Sequence, residues 1–471
     1  MTSIRKIFGP PGTGKTTTLL NILEQALADG IPPERIGYMA FTVKAAREAK
    51  ERAAERFPQI ANRMRWFRTL HSLCYGLLNL DKGQVLQRKH YSSICKSLNL
   101  DYSGYVSMDE GAPTDIMVGD RLIFIEGLSR ARKTSFEEEF HRSDETRVTW
   151  LEAQQFKSTL DRFKEGRFLI DFNDMLSTTV EHDVPVPVFD VLFIDEAQDL
   201  SLLQWDVVRH LLQSAKRVYI AGDDDQAIFS WAGADVDTFL NIEGEIEVLH
   251  HSYRVGKNVQ KVAQTVISQV GKRQEKEWSP NNNEDHVSYA THTSYLPLDK
   301  GQWLILARNA YLLKAAQDLC YQEGYSYEGK GSLLDSESLQ AIKAYEKARA
   351  GEPVSEADKK LIEGYGGRCL SGGKIWHEAL TKIPEREREY FLAARVRGES
   401  LVRPRIKIST IHGAKGGEAE NVALYSDMSS RTFTSLVNDP DSEHRVFYVG
   451  VTRAKGHLHV IEPQGKFFFN L

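Results

Sequence analysis

A glycine-rich loop near the start of the sequence has the residues needed to bind phosphate groups. Residues 9–16 read GPPGTGKT and match G-x-x-x-x-G-K-[ST], in which glycines let backbone N–H groups turn towards phosphate oxygens. Lys15 is suited to neutralising the β- and γ-phosphates, and the Thr16 hydroxyl to binding Mg²⁺. Apolar residues within 4–8 predict a strand before the loop, and those within 17–27 predict a helix whose N-terminus attracts anions. This context favours a nucleoside triphosphate site over a chance glycine-rich turn.

Two carboxylates follow a later apolar run. Residues 188–194 predict a strand, and Asp195 and Glu196 come directly after it. In an open α/β sheet, ligands bind at the C-terminal ends of the strands. Asp195 is suited to binding Mg²⁺, directly or through water, and Glu196 to positioning and deprotonating an attacking water. A solvated acidic loop is the alternative, and the preceding phosphate-binding loop favours the functional interpretation.

The next predicted strand, residues 217–221, leads towards a glutamine and two aromatic rings. Gln226 is suited to hydrogen bonding with a γ-phosphate or with the water that attacks it. Phe229 and Trp231 indicate stacking of nucleobases beside this glutamine. Core packing is the alternative for both rings, and composition alone favours it.

Two arginines later in the chain are suited to contacting phosphate. Arg254 follows a predicted strand at 246–250, and Arg453 lies on or near a predicted helix. An arginine that reaches across a domain cleft stabilises the charge developing on a γ-phosphate. For an isolated arginine, however, a surface ion pair is the more common role.

The composition is that of a globular protein with more than one domain. The chain has 471 residues, of which 41% are hydrophobic and 27% charged, and its formal net charge is −5. A nucleic-acid partner would therefore have to bind local basic surface, such as the lysines and arginines within 44–68. The four cysteines form no C-x-x-C pair, which indicates a reducing compartment and no zinc site. We find neither a signal peptide nor a long apolar stretch, so we expect a cytoplasmic protein without membrane contact.

The elements that must position these residues alternate between strands and helices. This alternation is typical of parallel sheets covered by helices, and it occurs twice, so we predict an α/β fold with two units in tandem. A mainly helical segment interrupts each unit. The predicted boundaries are 1–80 with 169–243 for the first unit, 81–168 for its insertion, 244–331 with 400–471 for the second unit, and 332–399 for its shorter insertion.

The motifs, taken in order, resemble those of superfamily 1 DNA helicases of the UvrD/Rep/PcrA group. The matching segments are GPPGTGKT, MAFTVKAAREAKER, RTLHSL, DFNDML, LFIDEAQDL, IAGDDDQAIFSWAGA, HHSYR, STIHGAKGGEAENV and EHRVFYVGVTRAK. The resemblance implies two RecA-like P-loop domains with parallel sheets. It also implies an enzyme that hydrolyses ATP with Mg²⁺ and moves 3′→5′ on single-stranded DNA. The implied partners are single-stranded DNA, single/double-strand junctions and unidentified replication or repair proteins.

The resemblance also implies roles for individual residues. The implied nucleotide-binding residues are Gly9, Pro10, Pro11, Gly12, Thr13, Gly14, Lys15, Thr16, Thr17, Tyr253 and Glu418, with Tyr253 stacking on adenine. The implied metal ligands are Thr16 and Asp195. The implied catalytic residues are Glu196, Gln226, Arg254 and Arg453, with both arginines supplied by the second domain. The implied DNA-binding residues are Thr42, Lys44, Thr69, His71, Phe229, Trp231, Thr410 and His412.

The sequence also departs from the pattern of this group. Thr17 stands where an arginine beside the adenine is common, and the residues before Gly9 are too few for the group's adenine-reading segment, so we expect looser selection of ATP over GTP. Val43 and Ala232 replace the usual asparagine and arginine, which removes two polar groups suited to DNA contact. The insertion 332–399 is shorter than the group's regulatory subdomain.

Three functions are compatible with the sequence. The first is a DNA helicase that couples ATP hydrolysis to strand separation. The second is a translocase that displaces bound proteins from single-stranded DNA with little unwinding, which the short second insertion motivates. The third is a nucleotide-gated DNA-binding scaffold with slow turnover. It is disfavoured by the intact set Asp195, Glu196, Gln226, Arg254 and Arg453. The sequence leaves action on RNA open.

Overall fold

The chain forms two compact units, each built on a six-stranded parallel sheet. The computed structural model describes residues 2–105, 117–143, 145–369 and 371–471. One unit comprises Met1–Asn282 with Ser435–Val449, and the other comprises Asn283–Thr434 with Gly450–Leu471. Two parallel sheets in tandem confirm the predicted α/β fold class.

The first sheet has the strand order β3-β2-β4-β5-β1-β6. Its strands are β1 (Ser3–Phe8), β2 (Ile36–Ala40), β3 (Phe67–Thr69), β4 (Phe189–Ile194), β5 (Ala215–Gly222) and β6 (Glu245–Val248). The helices that accompany it are α1 (Lys15–Ala28), α2 (Val43–Arg56), α3 (Leu70–Leu77), α8 (Phe172–Glu181), α9 (Leu202–Leu212), α10 (Val236–Asn241) and α11 (Lys257–Ile267). Because successive side chains on a strand point to opposite faces, Ile7 and Phe8 enter two different apolar clusters. The sheet is therefore packed on both faces.

Helix α2 shows how local sequence sets an element that the site uses. The Thr42 hydroxyl accepts a hydrogen bond from the Ala45 amide at 3.1 Å and so caps the helix. The small residues Ala46, Ala49 and Ala53 are buried against the sheet, whereas the lysines and arginines of the helix face solvent. The helix therefore presents a basic surface.

The described part of the first insertion is helical, as predicted. Its helices are α4 (Arg88–Ser97), α5 (Val118–Ala131), α6 (Phe136–Arg142) and α7 (Trp150–Glu165). They enclose an apolar cluster of their own, in which Phe156 and Leu160 are fully buried. The predictions for residues 106–116, 144 and 370 lie outside the described residues.

A buried network of charges ties this insertion to α8. Arg130 of α5 lies 2.6 Å from Asp174, and Lys164 of α7 lies 2.6 Å from both Asp171 and Asp174. Asp171 also caps α8 by accepting a hydrogen bond from the Asp174 amide. Removing one partner of a partly buried ion pair leaves the other charge uncompensated, which destabilises the fold. The network therefore holds the start of α8 in place. Glu126 lies beside it, 3.9 Å from Arg130.

The second sheet has the strand order β7-β12-β11-β8-β10-β9. Its strands are β7 (His286–Ala290), β8 (Trp303–Ala307), β9 (Tyr327–Glu328), β10 (Ile406–Thr410), β11 (Ala419–Tyr425) and β12 (Ala454–Ile461). The remaining helices are α12 (Lys314–Glu323), α13 (Glu337–Arg349), α14 (Glu356–Gly364), α15 (Trp376–Ala379), α16 (Glu385–Val396), α17 (Ser430–Asn438) and α18 (Pro440–Val451). Helices α13 to α16 form the second insertion around a separate apolar cluster that includes Trp376 and Phe391.

One predicted boundary needs correction. The sequence predicted a strand at 246–250 as the start of the second unit, but β6 pairs with β1 in the first sheet. The first compact unit then continues to Asn282 rather than ending at 243. The physical reason is that the free edge of β1 supplies backbone partners for β6, and strand pairing of this kind leaves no local sequence signal. Both Tyr253 and Arg254 therefore belong to the first unit.

We predict that replacing Glu126 with glutamine stabilises the protein at alkaline pH. Burial, assisted by the charge of Asp171, raises the pKa of Glu126 from 4.5 to about 7. The folded chain thus binds this proton more tightly than the unfolded chain, and stability falls as the pH rises from 4.5 towards 7. The Glu126→Gln variant does not lose this stability, because a glutamine side chain does not ionise. Thermal unfolding should show a midpoint raised by about 2–6 °C at pH 8 and almost unchanged at pH 5.

The matched control is Glu165→Gln, which changes an exposed carboxylate at the end of α7. We expect it to shift the midpoint equally at both pH values. A Glu126 variant that is destabilised at pH 8 would show that Arg130 and Lys157 compensate the buried charge fully.

Candidate nucleotide and nucleic-acid site

The glycine-rich loop joins β1 to α1 in a conformation that requires its glycines. Gly12 and Gly14 have φ angles of +73° and +79°, in the left-handed region that other residues rarely adopt. The Lys15 ammonium donates a hydrogen bond to the Gly9 carbonyl at 2.8 Å, so the lysine lies over the loop. Thr13 closes the turn by donating its hydroxyl to the Pro10 carbonyl at 2.8 Å. The loop thus has the curvature and the charge needed to enclose phosphates.

A second loop, residues 250–255, packs directly on the glycine-rich loop. The Tyr253 amide donates to the Gly12 carbonyl at 2.8 Å, and the Ser252 hydroxyl donates to the Pro11 carbonyl at 2.7 Å. The Tyr253 side chain is 72% exposed, and the edge of the His251 ring contacts it at 4.8 Å between centroids. An exposed, supported ring beside a phosphate loop is suited to stacking on a nucleobase. The Cβ and the amide nitrogen of Arg254 lie beside Gly12.

The carboxylates that follow β4 occupy different environments. The Asp195 carboxylate is buried and accepts a hydrogen bond from the Tyr38 hydroxyl at 2.5 Å. Burial, and next the charge of Glu196, raises the pKa of Asp195 to about 6. Glu196 has a φ of +53°, a strained conformation for a residue with a side chain. Strain of this kind persists where the surrounding structure fixes a functional group, so it supports a functional role for Glu196.

Gln198 joins the ends of β4 and β5, and the sequence did not single it out. Its side-chain amide donates to the Glu196 carboxylate at 2.5 Å and accepts from the Asp223 amide at 3.0 Å. The Gln226 amide in turn donates to the Asp223 carboxylate at 2.6 Å. A β-carbon at Gly222 would lie 2.6 Å from the Gln198 oxygen, so this glycine permits the approach. The two predicted catalytic side chains are therefore linked by one chain of hydrogen bonds.

The donor groups present fit a Mg²⁺ ion held jointly with a triphosphate. Mg²⁺ commonly takes one or two protein oxygens and completes its octahedron with water and substrate phosphates. The Thr16 hydroxyl at the start of α1 and the Asp195 carboxylate are oxygen donors of this kind. A bound Mg²⁺ ion would also offset the cost of burying the Asp195 charge. Among the described residues, no group of three or more His, Cys, Asp or Glu side chains is arranged to hold a metal alone.

An aromatic pocket lies close to the acidic loops. It has a volume of about 170 Å³, and its lining residues include Phe41, His71, Asn173, Gln204 and Phe229. The rings of Phe41 and Phe229 are nearly parallel, with centroids 6.0 Å apart. Burial lowers the pKa of His71, so its ring is uncharged at neutral pH. Apolar rings with a few amides suit a nucleobase, whose flat faces stack and whose edges carry hydrogen-bonding groups.

The predicted DNA-binding residues of the first unit differ in what they contact. His71 and Phe229 line the aromatic pocket, and Trp231 contacts Phe124 of the insertion, with ring centroids 6.3 Å apart. The hydroxyls of Thr42 and Thr69 cap α2 and α3, so a structural role accounts for both residues. Lys44 is exposed in the first turn of α2.

The structure adds residues that the sequence did not identify at the aromatic pocket. Phe41 stacks on Phe229, and Asn173 lines the pocket while donating to the Gly127 carbonyl at 3.1 Å. Phe172 is 60% exposed, and its ring meets the edge of His71. A signal was available for Phe172 and Asn173, since both lie in the matched segment DFNDML, directly after Asp171.

The predicted residues of the second unit are partly engaged within that unit. Arg453 is buried, and its guanidinium donates to the Gly417 carbonyl at 3.2 Å. Glu418 pairs with Lys455 at 2.6 Å. Thr410 and His412 are both buried at and after the end of β10. The Thr410 hydroxyl accepts a hydrogen bond from the Gly413 amide at 3.1 Å.

The phosphate loop, the carboxylates after β4 and the glutamine after β5 place the protein among the P-loop nucleotide-binding proteins. The UvrD/REP helicase N-terminal domain matches residues 1–247, and the UvrD-like helicase C-terminal domain matches residues 378–464. The chain belongs to the UvrD/REP helicase family. Its two sheets are accordingly tandem RecA-like units.

Curated relatives are about a quarter identical to this chain over the residues that align. The chain is 26% identical over 299 residues to the ATP-dependent DNA helicase PcrA of Leuconostoc citreum. It is 26% identical over 302 residues to the protein of the same name from Staphylococcus aureus strain NCTC 8325 / PS 47. Each match covers 60% of this chain and 40% of the relative. The chain thus aligns with less than half of the length of these relatives.

Two solved structures show a distant likeness. One is the complex of Arterivirus nonstructural protein 10 (helicase) with DNA, at a TM-score of 0.37 and 11% identity, covering 98% of this chain and 62% of that one. The other is the PRRSV helicase, at a TM-score of 0.39 and 10% identity, covering 98% of this chain and 53% of that one. Scores at this level leave the function to be argued from the site. Within the described residues, every helix is too short or too polar to cross a lipid bilayer.

We predict that Gly12→Ala abolishes most nucleotide binding. The added carbon would lie 2.3 Å from the Arg254 Cβ and 3.0 Å from the Arg254 amide nitrogen, so the two loops must separate. We expect the affinity for a fluorescent ATP analogue, measured by titration with Mg²⁺ present, to fall at least about tenfold, or by about 1.4 kcal/mol.

Gly30→Ala is the matched control, because Gly30 has a similar φ of +81° but meets nothing within 4 Å among the described residues. Both variants should lose about 1–2 kcal/mol of stability from the left-handed backbone, while only Gly12→Ala loses affinity. Equal affinities in the two variants would contradict the proposed contact between the loops.

Proposed function

We propose that this protein is an ATP-dependent DNA helicase that translocates 3′→5′ on single-stranded DNA and couples ATP hydrolysis to strand separation. The observation that carries the proposal is the hydrogen-bonded chain from Glu196 through Gln198 and Asp223 to Gln226, which ends three residues before the aromatic pocket residue Phe229. Hydrolysis and strand binding are thereby joined by one short segment. The direction of movement follows from the motif resemblance, which favours the 3′→5′ branch.

The proposed hydrolysis uses the strand ends of the first sheet. The glycine-rich loop and Lys15 bind the phosphates, and Glu196 accepts a proton from the attacking water. Gln226 orients that water or the γ-phosphate. Thr16 and Asp195 would hold Mg²⁺, which would supply positive charge to the phosphate oxygens. Arg254 stabilises the developing negative charge from beside Gly12.

The second unit supplies the remaining proposed residues. We assign Arg453 to the γ-phosphate, Glu418 to the ribose and Thr410 with His412 to the DNA strand, and the motif resemblance supports each assignment. We also propose the two RecA-like domains as the moving parts, with hydrolysis loosening their grip on the strand in turn.

The proposed strand site combines rings with positive charge. Bases stack in the aromatic pocket, where each stacked base contributes about 1–3 kcal/mol with little sequence preference. Lys44 and the other exposed cations of α2 contact the phosphates. Contacts of this kind weaken as salt rises, and we expect binding to DNA to do so.

The proposal is tested by ATP turnover and unwinding measured on the same preparation. The substrates are single-stranded DNA and duplexes with a 3′ tail, a 5′ tail or blunt ends. We expect single-stranded DNA to raise ATP turnover and only the 3′-tailed duplex to be unwound. Glu196→Gln should lower turnover by about 10²–10⁴-fold, because the base is lost while the shape is kept.

The matched control is Glu181→Gln, an exposed carboxylate at the end of α8. It should turn over ATP at the wild-type rate. An ATP turnover rate that DNA leaves unchanged contradicts a DNA motor. An ATP turnover rate below about one per minute favours the scaffold, since enzymes typically reach about 1–1000 per second. Stimulated turnover that clears a protein block but leaves the duplex intact favours the translocase.

A further inference from the structure

Three consecutive aspartates after β5 are buried together. Asp223, Asp224 and Asp225 are each no more than 1% exposed. Carboxylates so close together and out of water repel one another unless cations lie between them. Two cations meet them: Lys276 and Arg273, both from a segment we call the strap, residues 271–282.

Lys276 is at the centre of this cluster. Its ammonium lies 3.3 Å from Asp223 and 3.0 Å from Asp225, and it donates to Asp224 as well. Its side chain is fully buried. Burial alone would lower the pKa of Lys276, but the three carboxylates raise it, so the ammonium stays charged. Arg273 meets Asp225 through two hydrogen bonds of 2.8 and 2.5 Å.

Asp223, which Lys276 contacts, is the residue that holds Gln226. Its Oδ1 faces Lys276, and its Oδ2 accepts from the Gln226 amide. Burial would raise the pKa of Asp223, but the charge of Lys276 holds that pKa below its usual range. Asp223 therefore stays an acceptor, and the direction of the Gln226 side chain depends on a lysine fifty residues away in the chain.

The strap also holds the loop that carries Tyr253 and Arg254. The Ser279 amide donates to the His250 carbonyl at 2.7 Å, and the Ser252 amide donates to the Ser279 carbonyl at 2.9 Å. The Asn281 side chain donates to the Arg254 carbonyl at 2.8 Å. The strap thus contacts both the aspartates that precede Gln226 and the loop 250–255 that carries Arg254.

The other end of the strap is fixed to α18. The Asp441 carboxylate accepts from the Gly271 and Lys272 amides at 3.0 and 3.1 Å. The Arg445 guanidinium donates to the Lys272 carbonyl at 2.6 Å. A segment anchored at both ends is a rigid support for the lysine between them.

We propose that Lys276 is a positioning residue for ATP hydrolysis, which orients Gln226 through Asp223 and links it through the strap to the Arg254 loop. This inference rests on the proposed function of Gln226. Lys276 itself contacts neither nucleotide nor DNA in this account. Its effect therefore has to pass through Gln226, which distinguishes it from a lysine that only stabilises the fold.

The test is a double-mutant cycle on the whole chain with Lys276→Met, Gln226→Ala and both together. For a residue acting through another, the two losses do not add. We expect Lys276→Met to lower kcat for ATP about 10–100-fold at saturating single-stranded DNA, with KM changed less than about threefold. The double variant should then turn over within about twofold of Gln226→Ala alone. Losses that multiply, or an unchanged kcat in Lys276→Met, would overturn the proposal.

The matched control is Lys6→Met. Lys6 is also buried and lies 5.8 Å from the Phe8 ring centroid, as Lys276 does, but it donates to the Leu240 carbonyl. Its kcat should stay within about twofold of wild type. If Lys276→Met fails to fold, the cycle is run in an Asp224→Asn background, which removes one buried negative charge along with the lysine. If DNA does not stimulate ATP turnover, the double-mutant cycle is measured on the turnover rate without DNA. A failure of the helicase proposal is thereby distinguished from a failure of the proposal for Lys276.

Discussion

The side-chain amide of Gln198 spans the ends of β4 and β5, and the arrangement of the phosphate site depends on that bridge. It donates to Glu196 and accepts from the Asp223 amide, so the proposed base and the aspartate that holds Gln226 cannot shift independently. An amide suits this position because it is a donor and an acceptor in one rigid group. Parallel strands make the bridge possible, since their C-terminal ends meet at one edge of the sheet.

Around this bridge the protein buries several charged side chains. Asp195, Asp223, Asp224 and Asp225 are all removed from water beside the loops that would bind a triphosphate. Buried charges rarely add net stability when compared with apolar residues of the same size. These buried charges therefore act by fixing side-chain orientation: they orient the Gln226 side chain and hold the strap in place. The same reasoning applies to the network that holds the start of α8 beside the aromatic pocket.

Local signals in the sequence predict the elements that carry the proposed phosphate site. The glycine-rich loop and the carboxylates after β4 follow from short patterns, and the structure has β1 before the loop and α1 after it, as predicted. The features that were missed depend on contacts between distant residues. Pairing of β6 with β1, the Gln198 bridge and the Lys276 cluster each join segments far apart in the chain. Arg254 was predicted in the second unit for the same reason, because its loop follows β6.

We propose that the turn from Asp223 to Phe229 couples the proposed nucleotide site to the proposed strand site. The direct measurement is the affinity for a labelled thymidine oligonucleotide, by fluorescence anisotropy, with and without a non-hydrolysable ATP analogue, and the reciprocal titration of the analogue. Coupling between two sites is reciprocal, so each ligand must change the affinity for the other by one common factor. We predict a factor of at least about five in the wild type and close to one in Gln226→Ala. A wild-type factor near one, or one that Gln226→Ala leaves intact, would show that this turn does not couple the two sites.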